Sequence, residues 1–129
     1  MGEMQRIGVI GAGAWGTALA TVARRAGRDV TLWALEPEVT TSINREYSNA
    51  IYLPGVTLDS AITATGDIGR AAVADIILLV VPAQFLRASC ENLAPHIKAG
   101  TPVVICAKGI ERESSALMTD VVAEALPEA

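Results

Sequence analysis

The sequence predicts one α/β domain built on an open, doubly wound parallel sheet. Three observations carry that prediction. Apolar runs of strand length alternate with helix-period segments along the 129 residues. The run Ile76-Ile77-Leu78-Leu79-Val80-Val81 is apolar without alternation, the pattern of a strand covered on both faces by helices. The first run, Arg6 to Ile10, ends in closely spaced glycines, Gly11-Ala12-Gly13-Ala14-Trp15-Gly16, at the start of a helical segment.

The elements follow in order. Arg6-Ile7-Gly8-Val9-Ile10 reads as a buried strand. From Trp15 to Ala26, the residues Ala18, Leu19, Val22, Ala23 and Ala26 recur at helical spacing, and Gly27 stops the segment as a C′ glycine does. Arg24, Arg25 and Arg28 surround that helix end, where positive charge complements the macrodipole. Asp29 to Trp33 is the second strand. Pro37 suits the first position of a helix reaching about Arg45, with Glu36 or Glu38 near its positive end. Residues 47–60, with Asn49, Pro54 and Gly55, read as an irregular connection. Ile62 to Thr65 is a short strand, and Asp67 can cap a brief helix through Val73. Pro82 ends the apolar run from Ile76, and a helix follows to about Leu93. Pro102 to Ala107 is the next buried strand, and Ser114 or Ser115 opens a last helix to about Leu126. No repeat or linker interrupts the series. Residues 1–129 therefore read as one Rossmann-type domain, with ligands expected at the carboxyl ends of the strands.

Composition narrows the functional classes. A hydrophobic share of 51% suits a packed α/β core, and a net charge of −4 argues against nucleic acid as a partner. Cys90 and Cys106 make no disulfide framework. Cys106, inside an apolar run, reads as a buried thiol, and a reducing cytoplasm is the expected compartment. The first residues lack the apolar stretch of a signal peptide, and no window approaches the roughly 20 apolar residues of a membrane span. His96, the sole histidine, follows Pro95 and reads as structural; no Ser–His, His–Asp or metal-ligand grouping is visible.

The glycine turn carries the chemistry. Gly11 lets the chain turn sharply out of the strand, Gly13 lets a pyrophosphate approach the backbone, and Gly16 lets the helix pack close to the strand. The helix then offers free N–H groups and its positive dipole end to phosphate. A dinucleotide is the expected ligand. Trp15 either covers that cofactor or packs inward as the first core residue of the helix. An acid near the end of the second strand binds the adenosine ribose, and Glu36 fits that spacing loosely, behind uncharged Ala34 and Leu35; its other reading is a helix-start carboxylate. Val81 and Pro82, closing the Ile76 run, fall where a nicotinamide would rest. Lys108, directly after the strand ending at Ala107, puts an ammonium at the carboxyl edge of the sheet, able to hold a substrate phosphate or polarise a carbonyl.

Together these motifs resemble a known family. Gly11 to Ala20 (GAGAWGTALA), Val30 to Trp33 (VTLW), Tyr52 to Gly55 (YLPG), Val80 to Pro82 (VVP), Cys106 to Glu111 (CAKGIE) and the Leu117-Met118 pair resemble the N-terminal half of bacterial NAD(P)-dependent glycerol-3-phosphate dehydrogenases, over essentially the whole chain. The resemblance implies reversible hydride transfer between NAD or NADP and the pair dihydroxyacetone phosphate and sn-glycerol 3-phosphate, feeding phospholipid synthesis. It implies that Ala14 and Trp15 contact the cofactor and that Lys108 contacts cofactor and substrate. Family members often carry an arginine where this chain has Leu35. Its replacement removes the expected partner of a 2′-phosphate, so NAD is expected to serve at least as well as NADP. In the family a helical C-terminal domain supplies the main catalytic lysine, most of the substrate pocket and much of a homodimer contact. No residue here matches that lysine, so the chain is expected to be a fragment that binds nucleotide weakly and turns over little. Two other readings remain: the cofactor half of a different two-domain reductase, against which Trp15 and the CAKGIE run argue, and a non-catalytic dinucleotide-binding module.

Overall fold

A computed structural model describes residues 5–106 and Ala125. Five strands, β1 (Arg6–Ile10), β2 (Asp29–Trp33), β3 (Thr63–Thr65), β4 (Ile76–Leu79) and β5 (Val103–Ile105), pair in parallel in the order β3-β2-β1-β4-β5. Among the described residues four α-helices connect them: α1 (Ala14–Arg25), α2 (Pro37–Glu46), α3 (Ile68–Ala72) and α4 (Leu86–Leu93), the last preceded by a 3₁₀ turn at Ala83–Phe85. The chain works outward from β1 to β3, then crosses back to β4 on the other side. β1 and β4 therefore flank the point where the winding reverses, the place where open α/β sheets bind ligands. The strands end level there: Ile10 lies beside Trp33 and Leu79, and Leu79 beside Ile105.

Each sheet face carries its own core. Ile10, Ile77, Leu79 and Val81 meet Leu86, Cys90 and Leu93 of α4 and Ala71 and Ala72 of α3. Val9, Val30, Leu32 and Ala64 meet Ala20 and Ala23 of α1, Val39 and Ile43 of α2, and Leu58 and Ile62 of the connection before β3. Each fully buried Leu, Ile or Val contributes roughly 1.5–3 kcal/mol. At the opposite end of the sheet, Asp75 Oδ2 accepts from the backbone N–H groups of Gln5 and Arg6, both at 2.9 Å. These bonds tie the start of β1 to the start of β4 and hold the Asp75 carboxyl below its usual range.

The expected elements appear, with corrections. The buried face of α1 is Gly16, Thr17, Ala20 and Ala23, while Val22 is 60% exposed and Ala26 is exposed. Small residues face the strands because close approach to the sheet selects them, and the larger apolar residues are turned aside. The run from Ile76 is not covered equally on its two faces: Ile77 and Leu79 are buried, Ile76 and Leu78 half-buried. α1 lies over β1 and β2 and α2 over β3, so among the described residues that side of β4 is only partly covered. Gly27 ends α1 with φ 82, and Arg24, in its last turn, uses its guanidinium on the Arg28 carbonyl at 2.9 Å and on Asp59 at 3.2 Å. Asp67 caps α3, accepting from Gly69 N–H at 2.9 Å. The expected helix from Ser114 or Ser115 lies outside the described residues except for Ala125, which is helical and packs on the α3–α4 core. No helix among the described residues is long and apolar enough to cross a membrane.

Candidate functional site

The glycine turn between β1 and α1 is shaped by three different demands. Gly11 has φ 120, and a side chain there would also bring Cβ within 2.7 Å of the Val80 carbonyl. A Cβ on Gly16 would collide with the Gly11 carbonyl, so α1 can sit this close to β1 only with glycine there. Gly13 differs. Its φ of −72 suits any residue, and a Cβ would meet nothing within 4 Å. The protein itself leaves that space open, at the residue that caps α1. No side chain caps the helix and no acid sits in its first turn, so the positive end faces the opening.

Two clefts meet at that opening. The first, of about 360 Å³, runs from Gly11, Ala12 and Gly13 past Leu35, Glu36 and Tyr52 on one side and Phe85, Ser89 and Asn92 on the other. The second, of about 340 Å³, is bounded by Ala14, Trp15, Gly16, Ala83 and Cys106. Gly13, Val80, Val81 and Pro82 line both, so one crevice crosses the carboxyl ends of the strands on either side of the glycine turn. Val81 is buried and belongs to the core, whereas Pro82 stands exposed at the mouth.

Most of the expected residues converge here. Trp15 is 61% exposed and borders the second cleft, which removes the reading that it packs inward; Ala14 beside it is exposed. Leu35, 77% exposed, lines the first cleft. Glu36 holds the backbone position that starts α2, yet its side chain makes no capping bond. Its Oε1 instead accepts from the Tyr52 hydroxyl at 2.6 Å, and that bond to the carboxylate raises the phenol's pKa. Lys108 lies outside the described residues. Cys106 is a correction: it is half-buried and borders the second cleft, because it follows the last residue of β5, the edge of the described sheet. Burial raises its pKa, and burial pushes Cys90, inside the core, up to about 11. His96 lies with its ring against Gly69, away from both clefts, as expected of a structural residue. No grouping of His, Cys, Asp and Glu among the described residues could hold a metal.

Asn49 and Tyr52 had no assigned role, although Tyr52 opens the YLPG motif. Asn49 is fully buried. Its amide donates to the Ala12 carbonyl at 2.8 Å and to Thr17 Oγ1 at 2.9 Å, and its Oδ1 accepts from Tyr52 N–H at 3.2 Å. One side chain thus fastens the connection after α2 to the glycine turn and places Tyr52 over the first cleft.

The family model described as NAD-dependent glycerol-3-phosphate dehydrogenase N-terminus matches residues 6–129. The NAD(P)+ glycerol-3-phosphate dehydrogenase of Paramagnetospirillum magneticum is 59% identical over 126 residues, covering 98% of this chain and 46% of that protein. The enzyme of the same name from Caulobacter vibrioides is 58% identical over 123 residues, covering 95% of this chain and 37% of its own length. Among solved structures, glycerol-3-phosphate dehydrogenase from Coxiella burnetii superposes with a TM-score of 0.87 at 33% identity, over 95% of this chain and 38% of that one. A UDP-D-ManNAc dehydrogenase from Pyrococcus horikoshii shares the fold, with a TM-score of 0.77 at 18% identity, over 95% of this chain and 33% of that one. The chain spans less than half the length of these relatives.

Proposed function

Because the chain belongs to the family of NAD-dependent glycerol-3-phosphate dehydrogenase N-terminal domains, we propose that it is the cofactor-binding half of an oxidoreductase. That enzyme interconverts dihydroxyacetone phosphate and sn-glycerol 3-phosphate with NAD or NADP and so feeds glycerophospholipid synthesis. The observation that carries the reading is the open space at Gly13, set between two clefts at the positive end of α1. Gly11 and Gly16 are glycine for the fold's sake; Gly13 is not, and a pyrophosphate is what the family's chemistry would bring there.

The residues present fit a dinucleotide. Gly11, Gly13 and Gly16 shape the pyrophosphate seat, with the first N–H groups of α1 aimed into it. Leu35 and Glu36 border the adenosine side, where a carboxylate accepts from ribose hydroxyls and repels a 2′-phosphate. Ala14, Trp15, Val81 and Pro82 border the nicotinamide side. The nicotinamide, when bound, supplies or accepts the hydride. The chain's own work is to orient the cofactor, with Trp15 and Pro82 narrowing access of water to it. Lys108, two residues beyond Cys106 in the sequence, is assigned to the substrate: an ammonium there balances the phosphate ester and the oxygen charge that develops as the carbonyl is reduced.

Titrating NADH into the purified chain while following tryptophan emission tests the reading. Trp15 at the cleft edge should be quenched saturably, ADP-ribose should compete, and Gly13→Val should abolish the signal while the melting temperature holds. Emission unchanged at millimolar NADH would refute it. In the full-length protein, Lys108→Ala should cut dihydroxyacetone phosphate reduction by a hundredfold or more, on the scale of a lost charge-stabilising contact.

A further inference from the structure

The Tyr52–Glu36 hydrogen bond explains a feature of the first cleft that the glycine turn does not. We propose that Tyr52 is a specificity-determining residue: its hydroxyl holds the Glu36 carboxylate in the cleft, so that the site selects an adenosine ribose with a free 2′-hydroxyl over one carrying a 2′-phosphate. The inference rests on the reading of this cleft as the adenosine side of a dinucleotide site.

Glu36 by itself is a poor gatekeeper. Its side chain is long and only half-buried, and it stands where a helix-start residue could fold back onto the free N–H groups of α2. It does not fold back. The Tyr52 hydroxyl donates to Oε1 at 2.6 Å, within the range of a charge-assisted O–H to carboxylate bond. This leaves Oε2 to accept from a ribose hydroxyl.

Tyr52 is itself anchored. Its N–H donates to Asn49 Oδ1, and the fully buried Asn49 amide is fixed to Ala12 and Thr17 at the glycine turn. The carboxylate is therefore positioned relative to the pyrophosphate seat by a continuous chain of hydrogen bonds rather than by its own rotamer preference.

The charge of the cleft points the same way. Glu36 is the one ionisable carboxylate among the described lining residues, and none of them is Lys, Arg or His. Leu35, next to it, is exposed and uncharged. A 2′-phosphate entering this cleft would meet a fixed negative charge with no cation beside it. A ribose hydroxyl would meet an acceptor already in place.

The test is the ratio of dissociation constants, NADPH over NADH, at fixed ionic strength for the wild type, Tyr52→Phe, Glu36→Gln and the double variant. A ratio cancels any loss of folded protein, which lowers both affinities alike. The wild type should favour NADH, and Glu36→Gln should remove most of that preference. Tyr52→Phe should reduce the ratio about five- to tenfold, the scale of one hydrogen bond of ordinary net strength. The double variant should match Glu36→Gln. A Tyr52→Phe ratio equal to wild type, beside a shifted Glu36→Gln ratio, overturns the role of Tyr52 and leaves the cleft assignment standing. If neither variant moves the ratio, or neither nucleotide binds, the adenosine assignment fails and the inference with it.

Discussion

Replacing Asn49 by alanine isolates the polar knot that joins the connection after α2 to the glycine turn. The side chain donates at 2.8 Å to the Ala12 carbonyl and at 2.9 Å to Thr17 Oγ1, and accepts from Tyr52 N–H at 3.2 Å. Each bond contributes about 1 kcal/mol net, and stranding the Ala12 carbonyl in the interior costs about 1–3 kcal/mol more. Thr17 Oγ1 also donates to that carbonyl, but at 3.4 Å this long bond does not make up for the lost amide donor. The total is about 4–6 kcal/mol. For a domain of this size each kcal/mol moves the melting temperature roughly 3–5 °C, so Asn49→Ala should melt roughly 12–30 °C lower by circular dichroism. Asn49→Asp keeps the volume but presents a carboxylate to the Ala12 carbonyl. At pH 7 it should be at least as damaging as alanine. Its buried carboxyl would have a raised pKa, so its deficit relative to wild type should shrink as the pH falls toward about 4 and the acid regains a donor. A fall of less than about 4 °C for Asn49→Ala, or an aspartate variant as stable as wild type at pH 7, would refute the assignment of structural weight to these bonds.

Three further outcomes follow. Gly13→Ala adds a methyl where a Cβ has no neighbour within 4 Å, so the melting temperature should stay within about 2 °C while NADH affinity drops at least tenfold; Gly16→Ala, whose Cβ meets the Gly11 carbonyl, should lose both, and calorimetry with thermal melts separates the two cases. Asp75, held below its ordinary value of 3.8 by the Arg6 and Gln5 N–H groups, stabilises the native state above that value and loses this contribution as the pH falls from 3.8 through its lower folded pKa; Asp75→Asn should therefore be less stable than wild type in urea at pH 7, with the gap closing below pH 3.8. Cys90, with its pKa near 11 and no exposure, should resist maleimide in the native protein at pH 8, whereas Cys106 at the second cleft should react and be slowed by NADH, as peptide mass mapping would reveal.

What could be read from the sequence divides along a physical line. Gly11 and Gly16 were legible because their reasons are local: a turn with positive φ, and a helix that must touch the strand it has just left. The alternation of elements was legible for the same reason, and with it the placing of the ligand crevice at the carboxyl ends of the strands. Features that depend on what another segment brings were not. The position of β5 at the edge of the described sheet leaves Cys106 half-buried, and an apolar run reads the same at an edge as at a centre. The face of α1 was misjudged at Val22 because helical spacing identifies apolar stripes without saying which of them the sheet can approach; Gly16 and Ala20 decide that by being small. The side Trp15 takes depends on that face, since one residue of rotation separates it from buried Gly16. Asn49 is the extreme case. Amid turn residues it looks like one more loop asparagine, yet its partner Ala12 lies 37 positions away, and only the fold shows that its amide meets a carbonyl of the glycine turn. Glu36 falls between: its spacing from the glycines marked it as a ribose acid, but whether it would cap α2 or face the cleft was settled by Tyr52, a residue on a third segment. The glycine turn proposed to seat phosphate is thus written in contiguous sequence, and the Glu36–Tyr52 pair proposed to tell one dinucleotide from another is assembled by contacts between segments.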